Sequence, residues 1–184
     1  MAYLILKQYK LKINPWDIFV ALKNQSNCFF LDSSLNTHYL GRYSFLGIEP
    51  FYTLKTKGES PFIRLRQMLD KYSISFAKSN LPFLGGAVGY LAYDLGFILE
   101  KKIKRKKIDD LGIPDCIFNF YNASVIVDHL KKKLYIFSAG FPEKSHHLSK
   151  SLCAINFKKI YNLLSRVDLF RNNRQKNGPR AHHT

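Results

Sequence analysis

Hydrophobic positions along the chain shift between a two-residue and a three-to-four-residue period, which predicts strands interleaved with helices. Ala2 to Tyr9 alternates loosely and reads as a strand. Asn14-Pro15 carries helix-start chemistry, asparagine as the cap and proline at the first helical position. Trp16, Phe19 and Val20 fall on one face behind it, predicting a short amphipathic helix over Pro15 to Lys23. Cys28 to Leu31 is a short apolar strand that runs directly into Asp32-Ser33-Ser34. In Gly41 to Gly47, Tyr43 and Phe45 alternate with Ser44 and Leu46, a strand with glycine at both ends. Ile48 to Lys55 continues as a further strand after a bend at Glu49-Pro50.

Ser60-Pro61 repeats the helix-start pattern, and Phe62, Leu65, Leu69 and Tyr72 mark one face of a helix from Pro61 to Tyr72. The run LPFLGGAVGYLAYDLG, Leu81 to Gly96, sets Gly85, Gly86 and Gly89 among large apolar residues. Glycines weaken a strand, so they mark places where another backbone or a ligand comes close. The adjacent Gly85 and Gly86 do not fit the G-x-G-x-x-G spacing of a phosphate loop. The pattern predicts a glycine-relieved core strand leading into a short helix with Leu91, Leu95 and Ile98 on its face. Ile117 to Asp128 and Lys133 to Ser138 read as one long hairpin, with His129 exposed in its turn. Gly140-Phe141-Pro142-Glu143 breaks that pattern. A last helix is predicted from Ser149 to Val167, with Leu152, Ile155, Ile160, Leu163, Leu164 and Val167 inward. The polar remainder, RNNRQKNGPRAHHT, has no apolar period and is expected to be disordered. The expected organisation is therefore one domain over residues 1–167 and a tail over 168–184.

Composition narrows the class. With 184 residues, 46% of them hydrophobic and 15% aromatic, the chain can bury a core and is no disordered polymer. The balance of 29 Lys and Arg against 13 acids, +16 at pH 7, invites a nucleic-acid partner. Lys101 to Lys107, KKIKRKK, is the dense basic run, yet no aromatics are interleaved for base stacking and no groove-reading motif accompanies it. A solvated loop is the favoured reading. Asp109-Asp110 are adjacent acids in a turn-rich connector and define no carboxylate pair.

Cys28, Cys116 and Cys153 lie far apart with no metal-ligand spacing, which suits small buried thiols in a reducing compartment. The N-terminal apolar run is too short for a signal peptide, and Leu81 to Tyr93, the longest uncharged run, is too short to span a bilayer. The expectation is a soluble cytoplasmic protein with no membrane partner.

Two places carry candidate chemistry. Asp32-Ser33-Ser34 reads as a turn, or as a carboxylate and hydroxyls at the mouth of an apolar layer that could orient an amine-bearing ligand; spacing favours the turn. Arg42 beside Tyr43 reads as a solvated edge charge, or as a cation stacked over an aromatic ligand.

Taken in order, NPWDIFVAL, FFLDSS, GRYSFLGIEPF, PFIRLRQML, LPFLGGAVGYLAYDLG, DDLGIPD, VIVDH and KKLYIFSAGFPE resemble one family. They are similar to the N-terminal domain of component I of the chorismate-utilising enzymes, anthranilate synthase and aminodeoxychorismate synthase. The resemblance runs from Asn14 to Ser165, and the GYLAYDLG and DDLGIPD forms look more like the aminodeoxychorismate (4-aminobenzoate, folate) branch. It implies an α+β fold of mostly antiparallel sheet with a few short helices, the N-terminal half of the family's sandwich.

In that family the chorismate site, its Mg²⁺ ligands and the catalytic residues lie in the C-terminal domain. The resemblance thus implies a non-catalytic part with no cofactor of its own, an N-terminal fragment or one half of a split gene. Its partners would be a separately encoded or missing catalytic domain and a glutamine amidotransferase subunit. The resemblance also implies a pocket for L-tryptophan at Ser33, Leu40, Gly41, Arg42 and Tyr43. Ser33 would meet the ligand's polar groups while Tyr43 and the Arg42 stem flank the indole, with weak affinity in the absence of the catalytic domain. An anthranilate synthase fragment and a basic nucleic-acid-binding module are the alternatives.

Overall fold

Asparagine does cap the first helix: the Trp16 amide donates to Asn14 Oδ1 at 2.8 Å, and Pro15 opens α1 (Pro15–Leu22). The computed structural model describes residues 2–33, 40–73, 80–100, 102 and 112–174, with side chains through 166. The strands are β1 (Leu4–Lys10), β2 (Phe29–Leu31), β3 (Tyr43–Gly47), β4 (Tyr52–Thr56), β5 (Gly86–Leu91), β6 (Cys116–Tyr121), β7 (Ala123–Asp128) and β8 (Lys133–Ala139). The remaining helices are α2 (Phe62–Lys71), α3 (Gly96–Leu99), which follows a 3₁₀ turn at Tyr93–Leu95, and α4 (His146–Arg174).

All strand pairs are antiparallel. They form a five-stranded sheet in the order β1-β8-β7-β3-β2 and a three-stranded sheet in the order β4-β6-β5. The expected α+β class therefore stands. Helices α1 and α4 cover one face of the larger sheet, where Ile18, Leu22, Leu46, Val125, Ile136 and Ile160 are buried together. Burial of each such side chain contributes about 1.5–3 kcal/mol, so this layer is the main source of stability. On the opposite face Ile126, Phe137 and Ala139 are buried beneath Phe45, Leu81, Leu84 and Phe141.

Several expectations are corrected. The run from Ile117 to Asp128 is not one hairpin strand: it breaks at Asn122, with β6 in the smaller sheet and β7 in the larger. The hairpin is β7–β8 alone. The glycine-rich β5 is an edge strand with exposed Tyr90 and Leu91 rather than a core strand. Gly89 serves close backbone approach, as expected: a Cβ there would collide with the Ile117 carbonyl of β6. Gly85, at φ +131°, would set a Cβ 2.9 Å from the Tyr121 carbonyl.

Helix α1 buries Ile18 and Leu22, not the Trp16–Val20 face; Trp16 is 59% exposed. Every α1 residue except Asp17 is apolar, so its period alone could not choose the inner side. The expected apolar face of α2 is not buried, and Phe62, Ile63 and Leu69 are all exposed. Leu65 is half-buried, and Tyr72 is drawn in between the rings of Phe51 at 4.9 Å and Phe141 at 5.4 Å. Helix α4 starts three residues earlier than expected and extends to Arg174; its inner side carries Ser149, Cys153, Ile160 and Leu164, while Ile155 is exposed.

Cys116 and Cys153 are buried and Cys28 half-buried, and all three are free. The KKIKRKK run apart from Lys102, the Asp109-Asp110 pair and the final ten residues lie outside the described residues. Among the described residues no helix is long and apolar enough to cross a membrane.

Substituting Gly89→Ala forces a methyl into the β5–β6 contact and is expected to lower stability by about 1–3 kcal/mol in urea unfolding. Gly96→Ala is the matched control. A Cβ there meets nothing within 4 Å. It should leave stability unchanged or raise it by up to about 1 kcal/mol.

Candidate functional site

The pairing of β2, β3 and β7 brings two polar clusters to one end of the five-stranded sheet. Leu31 faces Phe45 across β2–β3, so the next residue, Asp32, arrives beside Ser44. Tyr43 faces Asp128 across β3–β7. Because side chains alternate along a strand, Ser44 lies on the helix-covered face with Leu46, and Tyr43 on the other with Phe45.

On the helix side, Ser44 Oγ donates to Asp32 Oδ1 at 2.6 Å and lies 2.6 Å from His129 Nε2. A hydroxyl has one proton to give, so with that proton directed at Asp32 the imidazole must supply Nε2–H to Ser44 Oγ. His129 Nε2 stands 4.0 Å from the Asp32 carboxylate. The hydroxyl thus bridges carboxylate and imidazole. Activating a serine as a nucleophile needs the imidazole in the middle and the hydroxyl accessible. Ser44 is fully buried, so this cluster holds the strand end together rather than attacking a substrate. His129, expected as an exposed turn residue, is half-buried and committed to this bond.

On the opposite side, Arg42 grips Asp128 with both arms of its guanidinium, Nε to Oδ1 at 3.2 Å and Nη2 to Oδ2 at 2.8 Å. Asp128 is 1% exposed and also accepts from the Lys131 amide at 3.0 Å. Burial pushes its carboxyl upward, but the Arg42 and Lys131 hydrogen bonds and charges outweigh this and hold it below the usual range. The bond to Asp128 in turn raises Arg42. The guanidinium sits 4.7 Å above the Tyr43 ring, which stacks on Phe45 at 6.0 Å. Burial, followed by the nearby Asp128 charge, raises the Tyr43 phenol, which therefore stays neutral near pH 7.

Of the residues expected at the ligand pocket, Arg42 and Tyr43 are brought together. Ser33 is exposed just past the end of β2, Leu40 is 61% exposed, and Gly41 takes a left-handed φ of +77° on the way into β3. Residues 34–39, between Ser33 and Leu40, lie outside the described residues. Arg42 is neither a free edge charge nor a cation waiting for a ring; Asp128 and its own neighbour Tyr43 occupy it. The Asp32 carboxylate accepts from Ser44 across the strand pair, while the turn expected at Asp32-Ser33-Ser34 runs into residues outside the described ones. Among the described residues no group of three His, Cys, Asp or Glu could hold a metal ion.

No family model matches the chain. Anthranilate synthase component 1 of Acetivibrio thermocellus is 32% identical over 138 residues, 66% of this chain. The corresponding protein of Leptospira biflexa is 30% identical over 141 residues, 70% of the chain. Aminodeoxychorismate synthase component 1 of Klebsiella aerogenes is 28% identical over 141 residues, 68% of the chain. The crystal structure of anthranilate synthase component I from Streptococcus pneumoniae superposes on 81% of this chain with a TM-score of 0.50 and 25% identity. Over about two thirds of its length the chain is similar to component I of the chorismate-utilising enzymes.

It spans only part of that family's length: 28%, 29% and 31% of the three curated relatives, and 35% of the solved chain. The α+β architecture agrees with this component I neighbour.

The Arg42–Asp128 fork yields a pH prediction. A carboxyl held below its unfolded pKa stabilises the fold above that pKa, and the contribution is lost as pH falls through the folded value. Asp128→Asn should cost about 1.5–3 kcal/mol at pH 7, the worth of a charged hydrogen bond. In urea unfolding from pH 7 down to pH 3, the gap between parent and variant should narrow steadily below about pH 4, the ordinary aspartate value.

Proposed function

We propose that this chain is the non-catalytic, ligand-sensing and scaffold part of an aminodeoxychorismate synthase component I. The complete enzyme would make 4-amino-4-deoxychorismate from chorismate for folate (4-aminobenzoate) synthesis. The chemistry would reside in a catalytic part supplied separately, which would also carry the Mg²⁺, and a glutamine amidotransferase subunit would deliver ammonia.

The observation that carries this reading is an apolar surface on and beside the small sheet. Tyr93 is 95% exposed, and Leu91, Leu99 and Ile113 are 43%, 50% and 50% exposed. Large apolar side chains grouped at a sheet edge fit a protein-protein interface better than a solvated rim.

The sensing role rests on the sheet end. There Ser33 and Leu40 are exposed beside Tyr43, whose ring is fixed by a clamped arginine. L-tryptophan suits this place: a hydroxyl for its amino-acid head and an aromatic edge for its indole. The fixed Arg42–Tyr43 unit would leave little ordering cost on binding.

A second reading is supported by the comparisons: anthranilate synthase names are the more frequent among the relatives, and the identity to one of them reaches 32%. In that case the complete protein would serve tryptophan synthesis. The two readings differ in product. Purified chain with chorismate and ammonia should give no turnover. Adding a separately expressed catalytic portion of the Klebsiella relative should give a stable complex and 4-amino-4-deoxychorismate, detected by chromatography. Anthranilate fluorescence after adding the catalytic portion of the Acetivibrio relative, with none of the folate product in the other mixture, would favour the second reading. Turnover by the chain alone would refute both.

A further inference from the structure

Lysines gather where β1 ends and β8 begins. Lys10 pairs in register with Lys133, and the Leu11 amide extends the pairing by donating to the Lys132 carbonyl at 2.9 Å. Lys12 therefore follows β1 beside Lys131 and Lys132 of the β7–β8 turn. Lys10, Lys12, Lys131 and Lys132 are exposed and Lys133 is half-buried. Lys10 and Lys133 lie on the sheet face away from the helices, with Leu6 and Tyr135, because side chains alternate along each strand. The lysines of two distant stretches of chain thus share one corner of the large sheet.

Little negative charge balances them. Strand pairing sets Asp128 opposite Lys133, but that carboxylate is 1% exposed and held by Arg42. Lys133 donates to Gln8 Oε1 at 3.1 Å instead. Among the described residues no carboxylate is ion-paired with Lys10, Lys12, Lys131 or Lys132. Like charges directly opposite on a sheet repel, as Lys10 and Lys133 do, and a polyanion laid across the corner would remove that repulsion. Lys132 also takes a left-handed φ of +53°, which suits glycine or asparagine and is strain of the kind kept at functional positions. An aromatic surface adjoins the corner. Tyr161 of α4 is 44% exposed, its ring 5.9 Å from that of Tyr9, and both tyrosines border one depression with Lys12. Single-stranded nucleic acid uses this pairing of groups: its bases stack on rings while its phosphates meet cations. A duplex keeps its base faces stacked and has no use for the tyrosine.

We infer that this corner binds single-stranded nucleic acid, its phosphates met by Lys10, Lys12, Lys131 and Lys132 and a base stacked on Tyr161. The strand would pass round the end of β1, from the Lys10 face to the helix side. The inference does not rest on the proposed function.

Fluorescence anisotropy of a labelled oligothymidylate of about 12 nucleotides, titrated with the full chain, reads the binding. Affinity should fall as salt rises, with a log–log slope of about −3, the value for about four neutralised phosphates on a single strand. Lys10→Gln/Lys12→Gln/Lys131→Gln/Lys132→Asn changes exposed side chains only. It should weaken binding at least about tenfold and flatten the slope, with a urea midpoint at or above the parent's. Tyr161→Ser should weaken binding about fivefold or more and leave the slope unchanged. Lys101→Gln/Lys104→Gln/Lys106→Gln/Lys107→Gln removes the same charge from the KKIKRKK run and should weaken binding less than about threefold. Three results would overturn the inference: no saturable binding at about 50 mM salt, equal losses in the two quadruple lysine variants, or unchanged affinity in Tyr161→Ser. Tighter binding to a duplex of the same length, or displacement of the oligonucleotide by phosphatidylserine vesicles at equal phosphate concentration, would overturn it as well.

Discussion

One unbroken stretch of chain, Cys116 to Asp128, supplies the middle strand of both sheets, and the turn it makes at Asn122 governs how the rest is placed. Asn122 is 5% exposed and bonded in three directions. Its Nδ2 donates to the Phe141 carbonyl at 2.5 Å, its Oδ1 accepts from Asn156 on α4 at 3.3 Å, and its carbonyl accepts from the Ala139 amide at 2.6 Å. A buried amide without such partners costs roughly 1–3 kcal/mol, so the corner is held by hydrogen bonds rather than apolar packing. Tyr121, just before the corner, donates to the Asn27 carbonyl at 2.6 Å. Burial, partly offset by Asn119, lifts its phenol to about 12 and keeps it a donor throughout the neutral range.

The far end of the same stretch builds the candidate site. Strand β7 ends on Asp128, buried and held by Arg42, and the next residue, His129, reaches over to Ser44. The two clusters on opposite faces thus share one strand end. Their charges and hydroxyls are largely spent on one another. Such an arrangement can present a fixed, prearranged surface to a ligand. Leu91, Tyr93, Leu99 and Ile113 leave a second, apolar surface exposed on and beside the small sheet.

Much of this was legible along the chain. Alternation marked β1, β3, β7 and β8, the Asn14-Pro15 pair marked the start of α1, and Gly89 of β5 marked close backbone approach. Three things were hidden for physical reasons. The apolar residues of α1 surround the helix, so period could not tell Ile18 from Trp16. Asn122 sits between two runs of the same strand-like composition, and only its buried hydrogen bonds reveal a change of sheet. Arg42 and Asp128 are separated by 86 positions, so a local reading found an edge charge and a strand end instead of an ion pair. The family was readable from the order of its segments, because that order survives where single motifs carry little information.

The claim at the centre of this account is that the polar end of the large sheet reads a ligand while the chemistry belongs to another part. Its most direct test is titration of L-tryptophan into ¹⁵N-labelled chain, followed by backbone amide shifts. The account predicts weak but saturable shifts gathered at Ser33, Gly41, Arg42 and Tyr43. The absence of saturable shifts at those amides, or shifts centred on another part of the fold, would contradict it.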